Sequence, residues 1–541
     1  MLLSVVSFAE RSFNFLRAGC VQESTKFVIW YDNWPSIPMY SILSTSVPQQ
    51  YHLARAVLNQ YISLPAIHPS KNYLYNGPIP SAKQVLVGVV DILSTIHPMY
   101  ALVAAVFLMT FFALYIKARY PFWNQVPALH VYDWHRRWLY PDKPYIIHPL
   151  HPKKTKYYVS EPTVQSSRFS DLDIERRQEM VKLLQSHYLA SDRVFCSIQL
   201  ADLEAQCSGS VVSTYNTLLV ATTAVAEQPP LDSASSSSEM EDDGIVERMG
   251  VRNPPIQIIE GFISSRSVNI SVSVGKADKR YIVLEPAHYM DYICFSRTLV
   301  SEKKTRGLFH THEYNQRMLM PDKKITIFKK EIDLCDALVP LVQYDALTFY
   351  LRMRIEPTIA LPANFQMVRI QKENQNHLQD WMERVVSMRE DIGFRVSVVA
   401  EIGYIINQLR TNQLYAYVLR GPDILSPNKL DAVYAIYFFK NAHVKYEDLE
   451  AGDTAHCVAA FCNTNDFDLY FLGFVLAVRE VKKDLPGAKM LMMDDIGHVR
   501  GLARKWTETH DVVLRTPCAY YLTNYIVPRS AFREDEVCFL L

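Results

Sequence analysis

The sequence predicts an α/β (α+β) protein: two tandem packed lobes preceded by a single transmembrane helix. Three observations carry this. Strand-like and helix-like periodicities alternate twice over from residue 256 onward, the pattern of sheets covered by helices. An uncharged apolar run, Met99–Ile116, lies ahead of them. The chain has 541 residues, enough to bury more than one core.

Composition narrows the classes. The formal net charge is zero, without the basic surplus of a nucleic-acid-binding domain, so no nucleic-acid partner is expected. Counts of 32 Tyr and 25 Phe suit an aromatic core first and apolar grooves second. The nine cysteines are scattered without a CxxC, which reads as reduced, mostly buried thiols in a cytosolic compartment. The pairs His148/His151 and His310/His312 come without a matching Cys, Asp or Glu cluster, so no metal is expected.

Taken in order, residues 1–82 show little periodicity and receive no fold. Residues 83–119 form the membrane-anchor region, with the span at about 99–116. Its core, MYALVAAVFLMTFFALYI, falls within the roughly 17–25 apolar residues that cross a bilayer as a helix. Lys117 and Arg119 follow, among Tyr115, Tyr120, Phe122 and Trp123, an interfacial set. A buried core helix is the alternative; its length and all-round hydrophobicity argue against that. Basic residues are denser after the span (Lys117, Arg119, Arg136, Arg137, Lys143) than just before it (Lys83). The expectation is a single-pass membrane protein with its large C-terminal region in the cytosol.

The first lobe is expected over 120–356. Its Pro-, His-, Tyr- and Trp-rich start, 120–160, reads as an extended segment on a surface. Residues 171–189 have helical spacing, with Asp171 as the capping candidate. Ser210–Val225 reads as strand or loop. The Ser-rich acidic stretch 227–254 reads as a disordered insertion or exposed loop. Two strands, Ile256–Ile263 and Val268–Val274, are joined by a short polar link. The sequon Asn269–Ser271 would go unused on the cytosolic side. Strand Tyr289–Phe295, a charged turn, helix Leu308–Met320 and strand Ile325–Phe328 follow.

The second lobe, 357–541, has a helix at His377–Met388 and strands at Leu414–Leu419 and Ala432–Phe439. It continues with helix Leu469–Val478, strand Met490–Met493 and a close at Tyr520–Tyr525.

Four segments occur in a telling order: Pro121-Phe-Trp-Asn-Gln-Val-Pro127, Ile258-Ile-Glu-Gly-Phe-Ile-Ser264, Asp291-Tyr-Ile-Cys-Phe295, and Tyr520-Tyr-Leu-Thr-Asn-Tyr525 followed by Val537-Cys-Phe-Leu-Leu541. They resemble the FWxTQPV, VGFIS, NFLCV and YYLYNW-plus-apolar-terminus motifs of the N-myristoyltransferase family. That family has the acetyltransferase-like (GNAT) superfold, and the resemblance covers residues 121–541. The run H-x-Y-D-W after the span, and THEYNQR at 311–317, look closer still to divergent membrane-anchored versions of large DNA viruses, which implies a virion or host membrane.

The resemblance implies a glycylpeptide N-acyltransferase. Its co-substrate would be acyl-CoA, myristoyl-CoA in particular, and its partners an N-terminal glycine of a peptide or protein and a membrane. By position, the backbone amides of Tyr292 and Ile293 would form the oxyanion hole. The C-terminal carboxylate of Leu541 would be the base, its pKa raised by an apolar setting; a frayed tail is the plain alternative. CoA would meet Phe122 and Trp123 and a phosphate turn, Val300–Arg306, through Lys303, Lys304, Thr305 and Arg306. That turn has Val300 where the family has Arg, and Glu302 intrudes. Tyr521 and Asn524 would lie near the peptide groove. Two further readings stay open. One is a catalytically degenerate membrane or virion structural or interaction protein that keeps the fold. The other is an acyl-CoA N-acyltransferase with a different acceptor.

Overall fold

The computed structural model describes residues 98–133, 143–160, 162–188, 194–209, 214–223, 256–275, 281–297, 300–351, 360–371, 378, 394–422, 432–446, 452–527 and 531–541. The expectations for 1–82, for the 227–254 insertion and for a helix at His377–Met388 lie outside these residues. The chain divides into units 1–112 and 113–541.

Among the described residues the elements run as follows. Helix α1 spans Pro98–Arg119. Then come β1 (Tyr145–Ile146), β2 (Val164–Arg168), α2 (Ile174–His187), β3 (Val194–Cys196), α3 (Leu200–Cys207) and β4 (Tyr215–Thr223). The long strands β5 (Ile256–Val274) and β6 (Tyr281–Phe295) lead to α4 (Glu302–Leu319), β7 (Ile325–Glu331), β8 (Val342–Tyr350) and β9 (Gln366–Arg369). Next are β10 (Val396–Ala400), α5 (Ile402–Arg410), β11 (Leu414–Gly421), β12 (Ala432–Asn441), β13 (Val444–Tyr446) and β14 (Asp453–Cys462). The chain closes with α6 (Phe467–Asp484), β15 (Ala488–Asp494), α7 (Val499–Thr507), β16 (Val512–Thr523), β17 (Tyr525–Ile526) and β18 (Val537–Leu540).

A mixed sheet of 14 strands organises the second unit, in the order β18-β10-β5-β6-β7-β16-β8-β15-β14-β12-β11-β9, with β4 beside β5 and β2 beside β4. Sequence alternation divides this region at 356/357, yet β8 is hydrogen-bonded between β16 and β15, and β10 pairs with β5. The two halves therefore share one sheet. Helices cover it by burying apolar stripes. In α6, Tyr470, Phe474, Ala477, Val478 and Val481 recur at helical spacing and are buried, against Tyr437, Phe439 and Leu491 of the sheet. Asp466 caps α6, accepting from the Leu469 N–H at 3.0 Å.

Several sequence expectations need correction. Ile256–Val274 is one strand, because the polar link between its apolar halves is itself in the sheet. Ser264, Ser265, Arg266 and Ser267 are buried there. Of the segment expected on a surface, 120–133 is instead packed inward, with Phe122, Val126, Ala128, Leu129, His130 and Asp133 buried, whereas 143–160 is half-buried or exposed throughout. Helix α2 is capped by Asp173, whose carboxylate accepts from the Arg176 N–H at 2.7 Å, rather than by Asp171. Helix α4 starts at Glu302, six residues ahead of the expected start at Leu308, because its first turn is built of polar helix formers such as Glu302, Lys303 and Lys304, which leave no apolar periodicity to read.

Helix α1 has 22 residues and no acidic group in its first turn, with Lys117 and Arg119 in its last. Its side chains are described from Val103 to Arg119. Val103, Val106, Phe107, Leu108, Phe111 and Leu114 are each more than half exposed. Among the residues so described, no helix is long and apolar enough to cross a membrane.

Candidate active site

The site begins with two parallel strands that part. β6 and β7 pair only over Ala287–Met290 and Ile325–Phe328. Beyond that point β6 runs on to Phe295 and β7 to Glu331 without pairing each other. The β5–β6 register shifts at the same place: Ser265 faces Met290 and Ser264 faces Tyr292, so Asp291 is an extra, bulged residue. A bulge adds local twist and re-aims the residues after it. Residues of both strands at this wedge line a cavity of about 280 Å³. β6 contributes Asp291 and Tyr292 to its lining, β7 contributes Lys329 and Glu331, and the chain end contributes Phe539, Leu540 and Leu541.

Charged side chains in the sheet cross the cavity floor. Arg266 Nε lies 2.8 Å from the Asp291 carboxylate, and the guanidinium packs over the Tyr404 and Tyr289 rings. Lys329 lies 2.7 Å from Glu331. His456 Nε2 lies 3.3 Å from Asp494 Oδ2, which also accepts from the Tyr344 hydroxyl at 3.5 Å. Lys440 lines the cavity and stands directly across from His456 in the β12–β14 pair. It forms no ion pair within 4.0 Å among the described residues.

Burial and mutual charge set the protonation states. Burial lowers the His456 pKa, and Asp494 offsets only part of that, so the ring is neutral near pH 7. Burial raises Asp494, but Lys329, His456 and Lys440 more than cancel it and hold the carboxyl below the usual range. Lys440 is pushed down to about 8, chiefly by burial and then by the like charges of Lys329 and Arg266. Burial raises Asp291, with Arg266 pulling it back.

The structure brings some of the expected site residues together and separates others. Tyr292 and Leu541 line the one cavity, although they are distant in sequence. The Tyr292 N–H donates to Ser264 Oγ at 3.3 Å, and its hydroxyl donates to Gln206. The neighbouring Ile293 packs on the opposite face, against the core around Phe122 and Phe309. Phe122 and Trp123 belong to that core: Trp123 stacks on Phe328 with centroids 5.8 Å apart, and Phe122 meets Phe309 edge-on. Neither lines the cavity.

Lys303, Lys304, Thr305 and Arg306 form the first turn and a half of α4. Lys304 is paired with Glu260 at 2.9 Å, and Arg306 with Glu302; the Thr305 N–H donates to the Ser301 carbonyl at 3.1 Å. Tyr521 is buried and accepts from the Cys335 N–H at 2.9 Å. Asn524 takes a left-handed φ of 60°. Its side chain accepts from the His148 N–H at 2.7 Å and donates to the His148 and Lys324 carbonyls. Tyr521 and Asn524 thus brace the fold, away from the cavity lining. His312 is likewise engaged, with Thr217 at 2.9 Å and Ser265 at 3.1 Å.

Sequence reasoning missed Arg266, Lys329, Lys440, His456 and Asp494 as site residues. The available signal was a charged or polar side chain inside an otherwise apolar strand, as in IYFFK and TAHCVAAF, since such a group needs a reason to be buried.

The fold is one found in N-myristoyltransferase structures. The solved structures that share it include Saccharomyces cerevisiae N-myristoyltransferase with bound myristoyl-CoA. That likeness has 10% identity and a TM-score of 0.50, covering 75% of this chain and 88% of that one. A second structure of the yeast enzyme, with myristoyl-CoA and inhibitors, gives 11% identity and a TM-score of 0.50 over 75% and 89%. No family model and no curated protein matches the sequence.

Proposed function

We propose that this protein transfers a fatty acyl group from acyl-CoA to an amine, with myristoyl as the group and an N-terminal glycine as the acceptor. The observation that carries this reading is the wedge after Met290, where the free edge of β6 at Tyr292 and the chain end at Leu541 line one cavity. In the mechanism, the thioester lies along the wedge with its carbonyl oxygen at the Tyr292 and Ile293 amides. The Leu541 carboxylate takes a proton from the glycine amine, the amine attacks, and CoA leaves as its thiol. The Tyr292 N–H must then exchange the Ser264 hydroxyl for the substrate oxygen.

The exposed apolar side of α1, ended by Lys117 and Arg119, supports anchoring of the enzyme at a membrane, where an acylated product belongs. The decisive test is calorimetric titration of the detergent-purified full chain with myristoyl-CoA, followed by a glycine-peptide acylation assay. Binding with turnover supports the proposal. No binding favours the second reading, a non-catalytic protein that keeps the fold. The internal pairing of Lys304 and Arg306 is the observation on that side.

A further inference from the structure

Three cavity residues that the proposed transfer does not use stand in a row across neighbouring strands. Lys440 of β12 faces His456 of β14 in the antiparallel register, so their side chains project to the same face from Cβ atoms about 5 Å apart. His456 Nε2 lies 3.3 Å from Asp494 on β15, and both side chains are only 7% exposed. All three line the cavity that holds Tyr292. An amine, an imidazole and a carboxylate thus stand side by side in that order, residue types that can serve as nucleophile, base and charge partner. Although 3.3 Å from Asp494, His456 Nε2 has no hydrogen-bond partner among the described residues, so the neutral ring has a nitrogen free to take a proton. Lys440 has no carboxylate within ion-pair distance among the described residues to hold it as a spectator cation.

We propose that Lys440 is a self-acylation site: resting on the acyl-CoA reading above, its Nζ takes the acyl group from a thioester bound in the same cavity. The neutral amine attacks the thioester carbonyl carbon; a C–N bond forms and the C–S bond breaks. The nitrogen's proton passes to the His456 ring and on to the departing sulfur, so the products are acyl-Lys440 and CoA thiol. No oxidant or further reactant enters. Burial and the cations Lys329 and Arg266 keep a large share of the amine neutral near pH 8, against the pull of Asp291 and Asp494. The product is a stable amide, so the modification is an end state. It removes a buried cation and fills the cavity with the protein's own acyl chain, which would limit turnover when acceptor is scarce.

The test incubates the detergent-purified full chain with myristoyl-CoA and no peptide, and maps adducts by mass spectrometry. Calorimetry on the same sample reports binding. The expected result is one adduct, on Lys440, absent from Lys440→Arg, and formed about a hundredfold more slowly by His456→Gln when each protein is saturated with myristoyl-CoA as its own calorimetry defines. Binding without an adduct on Lys440 overturns this proposal and leaves the acyltransferase reading standing. Adducts of equal rate on many lysines overturn it too. Absence of binding overturns both. Should Lys440→Arg fail to fold, the wild-type peptide map and the His456→Gln rate still decide.

Discussion

Asp291 occupies the bulged position of β6, and its carboxylate neutralises an Arg266 side chain that is only 2% exposed. Removing one partner of a buried pair leaves the other charge uncompensated. Asp291→Ala is therefore expected to destabilise the fold by about 3–5 kcal/mol, read from denaturant midpoints; a loss below about 1 kcal/mol, the range of surface pairs, would refute the argument. Five buried histidines add a pH dependence. Burial lowers the pKa of His288, His310, His312, His443 and His456, that of His312 to about 3. Below the unfolded value of about 6.5 the unfolded chain takes up protons that these folded rings refuse. Stability is thus complete above that pH and falls as pH drops toward each ring's folded pKa, by up to about 1.4 kcal/mol per unit for a ring lowered as far as His312. Asp291 and Glu313, raised by burial, act in the opposite sense only near the carboxylate range. Melting temperatures that stay flat between pH of about 7.5 and about 5.5 would count against the buried neutral rings. At this scale a strand motif drew attention to Tyr292, which lines the cavity. Lys440 and His456 were not legible, because a single charge in an apolar run does not say which neighbours it meets.

The turn at Asn524 shows how one element is held. Its left-handed backbone suits Asn or Gly, and its amide ties the segment around His148 to Lys324. Asn524→Ala loses both features and is expected to cost about 2–4 kcal/mol. Asn524→Gly keeps the backbone fit and should cost about 1 kcal/mol less, as read by chemical unfolding. An Ala variant as stable as the Gly one would exclude the backbone contribution. For α1, replacing the exposed Phe107, Leu108 and Phe111 by Lys removes the apolar surface that the proposed anchoring uses, and is expected to move the protein from the membrane pellet to the soluble fraction. Unchanged partitioning would argue against anchoring through α1. Elements with one wet face, such as α6, could be read from periodicity. β5 could not, because polar residues at its centre are buried against partners from other strands and from α4: Ser265 meets His312 and Gln316, and Arg266 meets Asp291.

Over the second unit as a whole, the last strand is placed by a distant one. β18 lies parallel to β10, with Val396 opposite Val537, and β10 lies against β5. This pairing is what carries Leu541 to the cavity beside Tyr292. Adding one residue after Leu541 is expected to abolish acyl transfer while shifting the melting temperature little, because β18 keeps its pairing and only the proposed carboxylate moves. Full activity in the extended chain would remove Leu541 from the mechanism. The sequence by itself determined the α/β class, the apolar helix ahead of it and the four ordered motifs, since these rest on local periodicity and short side-chain patterns. Only the tertiary structure decided that the two halves share one sheet, that β6 and β7 part after Met290, and that Phe122 and Asn524 brace while Lys440, His456 and Asp494 face the cavity. Register and the facing of strands depend on partners far away in the chain, and no window of sequence contains both sides of such a pair.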